Sequence, residues 1–307
     1  MNSYTIRNLK DFQLDHIFDC GQCFRWNKTG PGVYSGMAMG RRVTMEQRGD
    51  SLTVTPCTKE EFDTIWRPYL DLDRDYGRIK EILAEKDPVM ARACEWGTGI
   101  RILQQDLWEV IVSFIISQNN NIPRIKGCIE RLCRLVGAAP EGEEDRRAPV
   151  QESRQEPGQA VRQTPGQEGL RAFGANVGLD GDQYPDFPSA QTLAALEPED
   201  LAPARLGYRA RYVIETARQV AEHGLPQTAD QVLSLSGVGP KVANCILLFG
   251  MKKYDSFPID VWVRRVMHEL YGFREEDVKG MKAFAAAEFG EFGGFAQQYL
   301  FYYMRSL

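Results

Sequence analysis

A lysine and an aspartate nineteen residues apart, Lys241 and Asp260, are the residues of this chain whose types and setting point most narrowly to chemistry. Lys241 directly follows Pro240 in the run Gly237-Val238-Gly239-Pro240-Lys241. Proline suits a first helical position because its missing N–H would be unpaired there anyway. An ammonium just inside a helix start faces a field of its own sign, which favours the neutral amine that a nucleophile needs. Taken alone, Lys241 could equally be a phosphate contact. Asp260 follows Phe257-Pro258-Ile259 and precedes the helical spacing Val261, Val263, Val266, Leu270. It reads as an N-cap, which by itself could be its whole role. Cys245 falls one turn beyond Lys241 on the same helical face, either as a thiolate that would hold the lysine proton or as buried packing.

The elements that must position this pair are local ones. Gly237-Val238-Gly239 lies between a short apolar helix carrying Val232, Leu233 and Leu235 and the helix that opens at Pro240, so a helix-hairpin-helix is expected at about 228–250. Glycine at both corners, Gly237 and Gly239, permits positive φ and close backbone approach. The turn then offers backbone amides at a positive helix end, which grip phosphate without reading sequence. DNA binding follows.

Upstream, turn signals at 28–32, 39–40 and 49–50 separate strand-like runs at 33–37, 42–46 and 52–55, an antiparallel β domain over residues 1–75. From Phe62 onward the spacing turns helical, and Leu107, Val110, Ile111, Phe114 and Ile115 mark a buried helix that stops at Ser117-Gln118-Asn119-Asn120-Asn121. Further helices are expected at 122–135, 209–223, 261–271, 275–289 and 295–304. The fold class is therefore α+β: an N-terminal antiparallel sheet, then mostly helical domains over 76–307. Residues 140–169 are rich in Glu, Gln, Arg, Pro and Gly and nearly without apolar side chains, so a disordered insertion is expected there.

A chain of 307 residues is long for one core. With 43% hydrophobic and 26% charged residues it has the balance of an ordinary soluble protein. No apolar run reaches the roughly 18 residues of a membrane span, and the first residues resemble neither a secretory nor a transit signal, so a cytoplasmic location is expected. The formal net charge of −5 counts against nucleic-acid binding only as an average. The 140–169 segment is itself acidic, while bases gather at Arg124, Lys126, Arg131 and Arg134 and at Arg205, Arg209 and Arg211, which predicts a cationic face. Seven cysteines without disulfide spacing suit a reducing compartment, and the Cys20-Gly21-Gln22-Cys23 pair, with no second CxxC, reads as free thiols.

Four separated motifs resemble the helix-hairpin-helix DNA glycosylases, and among them the 8-oxoguanine DNA glycosylase/AP lyases. They are Gly21-Gln22-Cys23-Phe24-Arg25-Trp26, the run SFIISQNNNIPRIKGCIERLC, Leu206-Gly207-Tyr208-Arg209, and the hairpin with its later Pro258-Ile259-Asp260. The resemblance implies excision of 8-oxoguanine, and of formamidopyrimidine-guanine, from double-stranded DNA. Lys241 would attack the sugar C1′ and form a Schiff base from which the strand breaks by β-elimination, with Asp260 stabilising the sugar cation. The Gly21 carbonyl would accept from N7–H, a proton that 8-oxoguanine has and guanine lacks. Phe301 would stack on the extruded base with Cys245 closing its other side, and Gln297 would meet its Watson–Crick edge. Asn119, Arg124 and Arg209 would contact the orphaned cytosine, Tyr208 would wedge the duplex, and Gly237 and Gly239 would hold phosphate. The resemblance further implies a monomer with no catalytic metal or organic cofactor, leaving room for a structural cation on the hairpin carbonyls. With no cysteine after Cys245, the C-terminal iron-sulfur cluster of the endonuclease III relatives is not expected. Phe249 and Trp262 depart from the animal form, which often has methionine and histidine there. The rival readings are a glycosylase for another damaged base and a hairpin DNA-binding module without chemistry.

Overall fold

The computed structural model describes residues 2–136 and 185–306, so the insertion expected at 140–169 lies outside the described residues. Five antiparallel strands, β1 (Tyr4–Ile6), β2 (Trp26–Gly30), β3 (Val33–Ala38), β4 (Arg41–Arg48) and β5 (Ser51–Thr55), form one sheet in the order β1-β5-β4-β3-β2. The three strands legible from turn signals are its centre. Of the two edge strands, β1 has no bracketing turn and pairs with β5 across the whole sequence of the sheet, Tyr4 opposite Val54, while β2 takes in residues 28–30, expected as turn, and pairs with β3 through Gly30 opposite Val33. Alternation puts Val43, Met45, Leu52 and Val54 inside, against Phe18 and Trp26, whose rings stack at 4.3 Å. Trp26 donates its indole N–H to the Tyr69 hydroxyl at 2.7 Å. The tryptophan of the FRW motif is thus core packing.

The helices build a second, larger apolar cluster, and the motif spans both. Trp26 belongs to the sheet cluster, whereas Phe24 packs edge-on against Phe114 of the helical one, centroids 5.7 Å apart. Gly21 sits just ahead of that crossing point. Each helix near it has a local reason to start. Asp106 caps Leu107–Ser117 through the Glu109 amide, Thr228 and Gln231 form a capping box on Ala229–Leu233, and Asp260 caps Val261–Glu269. The helix expected at 275–289 begins later, at Val278–Phe289, because the Asp277 side chain caps it. Among the described residues, no helix is long and apolar enough to cross a membrane.

Arg101 joins the two clusters. It is 4% exposed, stacks 4.5 Å from the Tyr76 ring centroid, and donates to the carbonyls of Lys10, Asp11 and Asp71 at 2.9, 2.9 and 2.6 Å. Two chain segments, at 10–11 and at 71, therefore depend on one guanidinium for donors. Arg101→Leu is expected to lower stability by roughly 2 kcal/mol or more, because each buried carbonyl left without a donor costs about 1–3 kcal/mol. A urea unfolding midpoint unchanged from wild type would contradict this.

Candidate active site

Lys241 is the second residue of the helix Pro240–Phe249, for which Gly239 is the N-cap. The hairpin needs its two glycines for different reasons. Gly237 has φ +72°, and a Cβ there would lie 2.4 Å from the Tyr212 ring, so both backbone and space demand glycine. Gly239 departs from the positive φ expected of it. Its φ is −90°, extended as an N-cap is, and a Cβ on it would meet nothing within 4 Å. What Gly239 leaves open is the approach to the helix end.

The Lys241 ammonium lies 5.6 Å from the centroid of the Phe114 ring, which is stacked in turn on Phe249 at 5.4 Å. Among the described residues it makes no ion pair within 4 Å. Asp260 nevertheless lines the same cavity, of about 50 Å³, together with Gly21, Cys245, Gln297 and Phe301. This cavity continues into an open cleft of about 300 Å³ that reaches Asn120, Asn121, Pro123 and Trp262. Nitrogen and carboxylate share one cleft, and neither is used up by the other.

Asp260 is cap and site at once. Its carboxylate accepts from the Val263 amide at 2.8 Å, and burial pushes its pKa above the ordinary aspartate value. The backbone amides and the charge of Lys241 pull the other way and offset only part of that. The Cys245 thiol is also pushed up by burial, which outweighs the Lys241 ammonium beside it. Burial thus disfavours the thiolate reading of Cys245 and favours the packing one, with the side chain forming part of the cavity wall.

The rest of the wall comes from Gly21 and the C-terminal helix Gly293–Ser306. Gly21 has φ +77°, and a Cβ there would sit 3.3 Å from the Phe301 ring. Gln297, 4% exposed, has an amide oxygen with no hydrogen-bond partner among the described residues. A buried amide oxygen left unpaired is costly, so an acceptor held open inside a cavity points to a donor on a ligand.

Around the mouth, the asparagine corner takes an unusual backbone. Asn119 is exposed with φ 45°, and its carbonyl accepts from Arg209 at 3.0 Å. Arg209 departs from the exposed contact that was expected. It is 4% exposed, donates to the carbonyls of Gln118, Asn119 and Leu206, and stacks 4.6 Å from the Tyr208 ring. It shapes the corner from behind. Tyr208 stands 54% exposed on this bracket, and Arg124 is exposed on the helix Ile122–Val136.

The cationic face is likewise corrected. Lys126 donates to the Trp26 carbonyl, Arg131 to the Ala204 carbonyl, and Arg134 and Arg211 pair with Glu130 and Glu215. Lys126, Arg131 and Arg209 thus serve the fold, while Arg134 and Arg211 stay at the surface in exposed pairs. Sequence reasoning missed Gln118, whose side chain donates to the Gly237 carbonyl at 3.0 Å and so ties the asparagine corner to the hairpin. Its place inside the SQNNN run was the only signal. Trp262, noted as a departure, proves to line the cleft beside Asp260, 37% exposed. Among the described residues, no group of three His, Cys, Asp or Glu side chains could hold a metal ion.

A helix-hairpin-helix that presents an amine and a buried carboxylate to one cleft defines a class of DNA repair protein, and the comparisons agree. The chain belongs to the HhH-GPD superfamily of base excision DNA repair proteins, whose model matches residues 112–289, and residues 5–111 match the N-terminal domain of 8-oxoguanine DNA glycosylase. It is 27% identical to the N-glycosylase/DNA lyase OGG1 of Arabidopsis thaliana over 95% of this chain and 77% of that one. It is 31% identical to a probable N-glycosylase/DNA lyase of Methanothermobacter thermautotrophicus over 76% of this chain and 72% of that one. Among solved structures, the 8-oxoguanine glycosylase/lyase of Clostridium acetobutylicum, in complex with double-stranded DNA containing cytosine opposite 8-oxoG, superposes with a TM-score of 0.83 at 34% identity, covering 99% of this chain and 96% of that one.

The two glycines give a paired prediction. Gly237→Ala should destabilise the protein by about 2 kcal/mol or more, because overpacking and forced positive φ act together. Gly239→Ala should leave stability within about 0.5 kcal/mol, as for an exposed site, yet weaken binding to duplex DNA. Thermal unfolding and a DNA titration separate the two; equal stability loss in both would contradict the assignment.

Proposed function

We propose that this chain is a bifunctional 8-oxoguanine DNA glycosylase and abasic-site lyase acting on duplex DNA. The observation that carries this reading is the buried, unpaired amide oxygen of Gln297, in a cavity that also holds Lys241, Asp260 and Gly21. An extruded guanine-type base has N–H donors along its Watson–Crick edge, which is what that oxygen lacks. The Gly21 carbonyl would accept from the N7–H of the oxidised base, and Phe301 would stack on its face.

In this reading the Lys241 nitrogen forms a bond to C1′ as the glycosidic bond breaks, and its electrons leave with the base, which takes up a proton. The aminal opens to a Schiff base, loss of a C2′ proton expels the 3′ phosphate, and the strand is cut. Asp260, held by backbone amides at a helix start, stabilises positive charge on the sugar as it develops. Asn119, Arg124 and Tyr208 would fill the gap left by extrusion, with Arg209 setting the geometry of Asn119. Gly237 and Gly239 would present the hairpin to phosphate. No step needs a catalytic metal or organic cofactor, and a cation on the hairpin carbonyls would be structural.

Borohydride should trap a covalent adduct with a duplex carrying 8-oxoguanine opposite cytosine, and Lys241→Gln should abolish it. Failure of the wild type to trap, or trapping by the variant, would remove the mechanism, and equal trapping on oxidised pyrimidines would favour another substrate. Asp260→Asn should bind the same duplex as wild type while excision slows roughly 10²–10⁴-fold. Because burial raises the Asp260 pKa, excision should fail on acidification at a pH above that of an ordinary aspartate, 3.8. The group is charged above its folded pKa and loses activity as pH drops through it. A single-turnover pH profile, flat down to the ordinary aspartate range, would contradict this.

A further inference from the structure

The loop that carries Gly21 is fastened on every side except at Gly21 itself. The Asp19 carbonyl accepts from Arg305 of the C-terminal helix at 2.9 Å. The Gln22 carbonyl accepts from the Gln105 side chain at 2.8 Å, while the Gln22 side chain, 1% exposed, accepts from the Leu103 amide at 2.9 Å and donates to the Arg101 carbonyl at 2.7 Å. Between them, the buried Cys20 sulfur donates to the Ile17 carbonyl at 3.2 Å, accepts from the Gln298 amide at 3.5 Å and lies 3.3 Å from the Gln22 amide, which it shares with the Ile17 and Arg101 carbonyls at 2.9 and 2.7 Å. Gln298 is 2% exposed and follows Gln297 directly. Within the described residues no hydrogen bond ends on the Gly21 carbonyl.

We propose that the Cys20 thiol, gripped by the side-chain amides of Gln22 and Gln298, is a positioning group that stops the Gly21 carbonyl from turning away from a bound base, and so sets the preference for 8-oxoguanine over guanine. This rests on the function proposed above. One acceptor separates the two bases only if it cannot move. Against 8-oxoguanine it receives the N7–H; against guanine it faces a lone pair and stays unpaired in a dry pocket. A soft loop would rotate the carbonyl out of that clash, and both bases would then be held alike. A glycine with positive φ has the freedom to do so, which is why its neighbours must supply the rigidity. The geometry suits a neutral thiol, the form that both donates and accepts. Burial pushes Cys20 up to about 12 and keeps that form.

The test compares single-turnover excision and borohydride trapping on two duplexes that differ only in 8-oxoguanine or guanine opposite cytosine. Cys20→Ala and Gln298→Leu should narrow the 8-oxoguanine to guanine rate ratio by roughly fivefold or more, with adduct appearing on the guanine duplex above the wild-type level. Cys20→Ser, which keeps donor and acceptor, should restore the wild-type ratio. A merely structural role would slow 8-oxoguanine excision without any gain on guanine, and that result, or an unchanged ratio, overturns the proposal. Wild-type protein with no preference for 8-oxoguanine would overturn both this inference and the reading beneath it. A wild-type preference that persists in both variants overturns only the inference.

Discussion

The Asp260 carboxylate is partly withdrawn from water but is not given a contact ion pair. Its partner at 2.8 Å is the Val263 amide, while the Lys241 ammonium rests over the Phe114 ring in the same cleft. A direct lysine–aspartate pair would hold the amine protonated and cover the carboxylate, leaving neither for a sugar. Backbone dipoles at a helix start do the holding instead, and they need no proton bookkeeping and no reorganisation when charge develops nearby. The burial that raises the Asp260 pKa is the same burial that strengthens its field on anything entering the cavity.

That arrangement works only if the cleft keeps its shape, and the shape is kept by buried polar groups at the seam of two apolar clusters. Gln22 and Arg101 spend their donors on main-chain carbonyls of distant segments. Apolar contacts alone are non-directional and would let sheet and helices slide against each other. Hydrogen bonds with fixed partners specify one alignment. Gly21, on whose carbonyl no hydrogen bond ends among the described residues, and Gln297, with its unpaired amide oxygen, then line the cavity with little freedom to relax.

The mouth of the cleft is organised the same way. Arg209 holds Asn119 in its left-handed conformation and carries Tyr208 on its face, and Gln118 couples that corner to the hairpin at Gly237. The corner that would meet the strand opposite the lesion and the turn that would grip phosphate are therefore braced against each other. A chain with an overall negative charge can reach DNA by such local geometry, with a helix end and backbone amides as the positive elements, even though Lys126, Arg131 and Arg209 are turned to internal carbonyls and Arg134 and Arg211 are paired with exposed carboxylates.

The sequence alone determined what depends on near neighbours. Turn glycines and alternation marked the three central strands, Asp260 could be read as an N-cap from the helical spacing after it, and Pro240-Lys241 marked a helix start because proline at a first helical position is a local rule. Those signals lie within a few residues of what they specify. The edge strand β1 was illegible because it finds its partner about fifty residues away, Tyr4 opposite Val54, and β2 because its last residues, 28–30, carry turn-like types although they pair with β3. The direction each cation faces was decided only in the folded chain: Arg209 reads in sequence like any surface arginine, and its burial depends on carbonyls about ninety residues upstream. The state of the Cys245 thiol was likewise a tertiary outcome, since desolvation is a sum over everything packed around a group, and no spacing rule contains it.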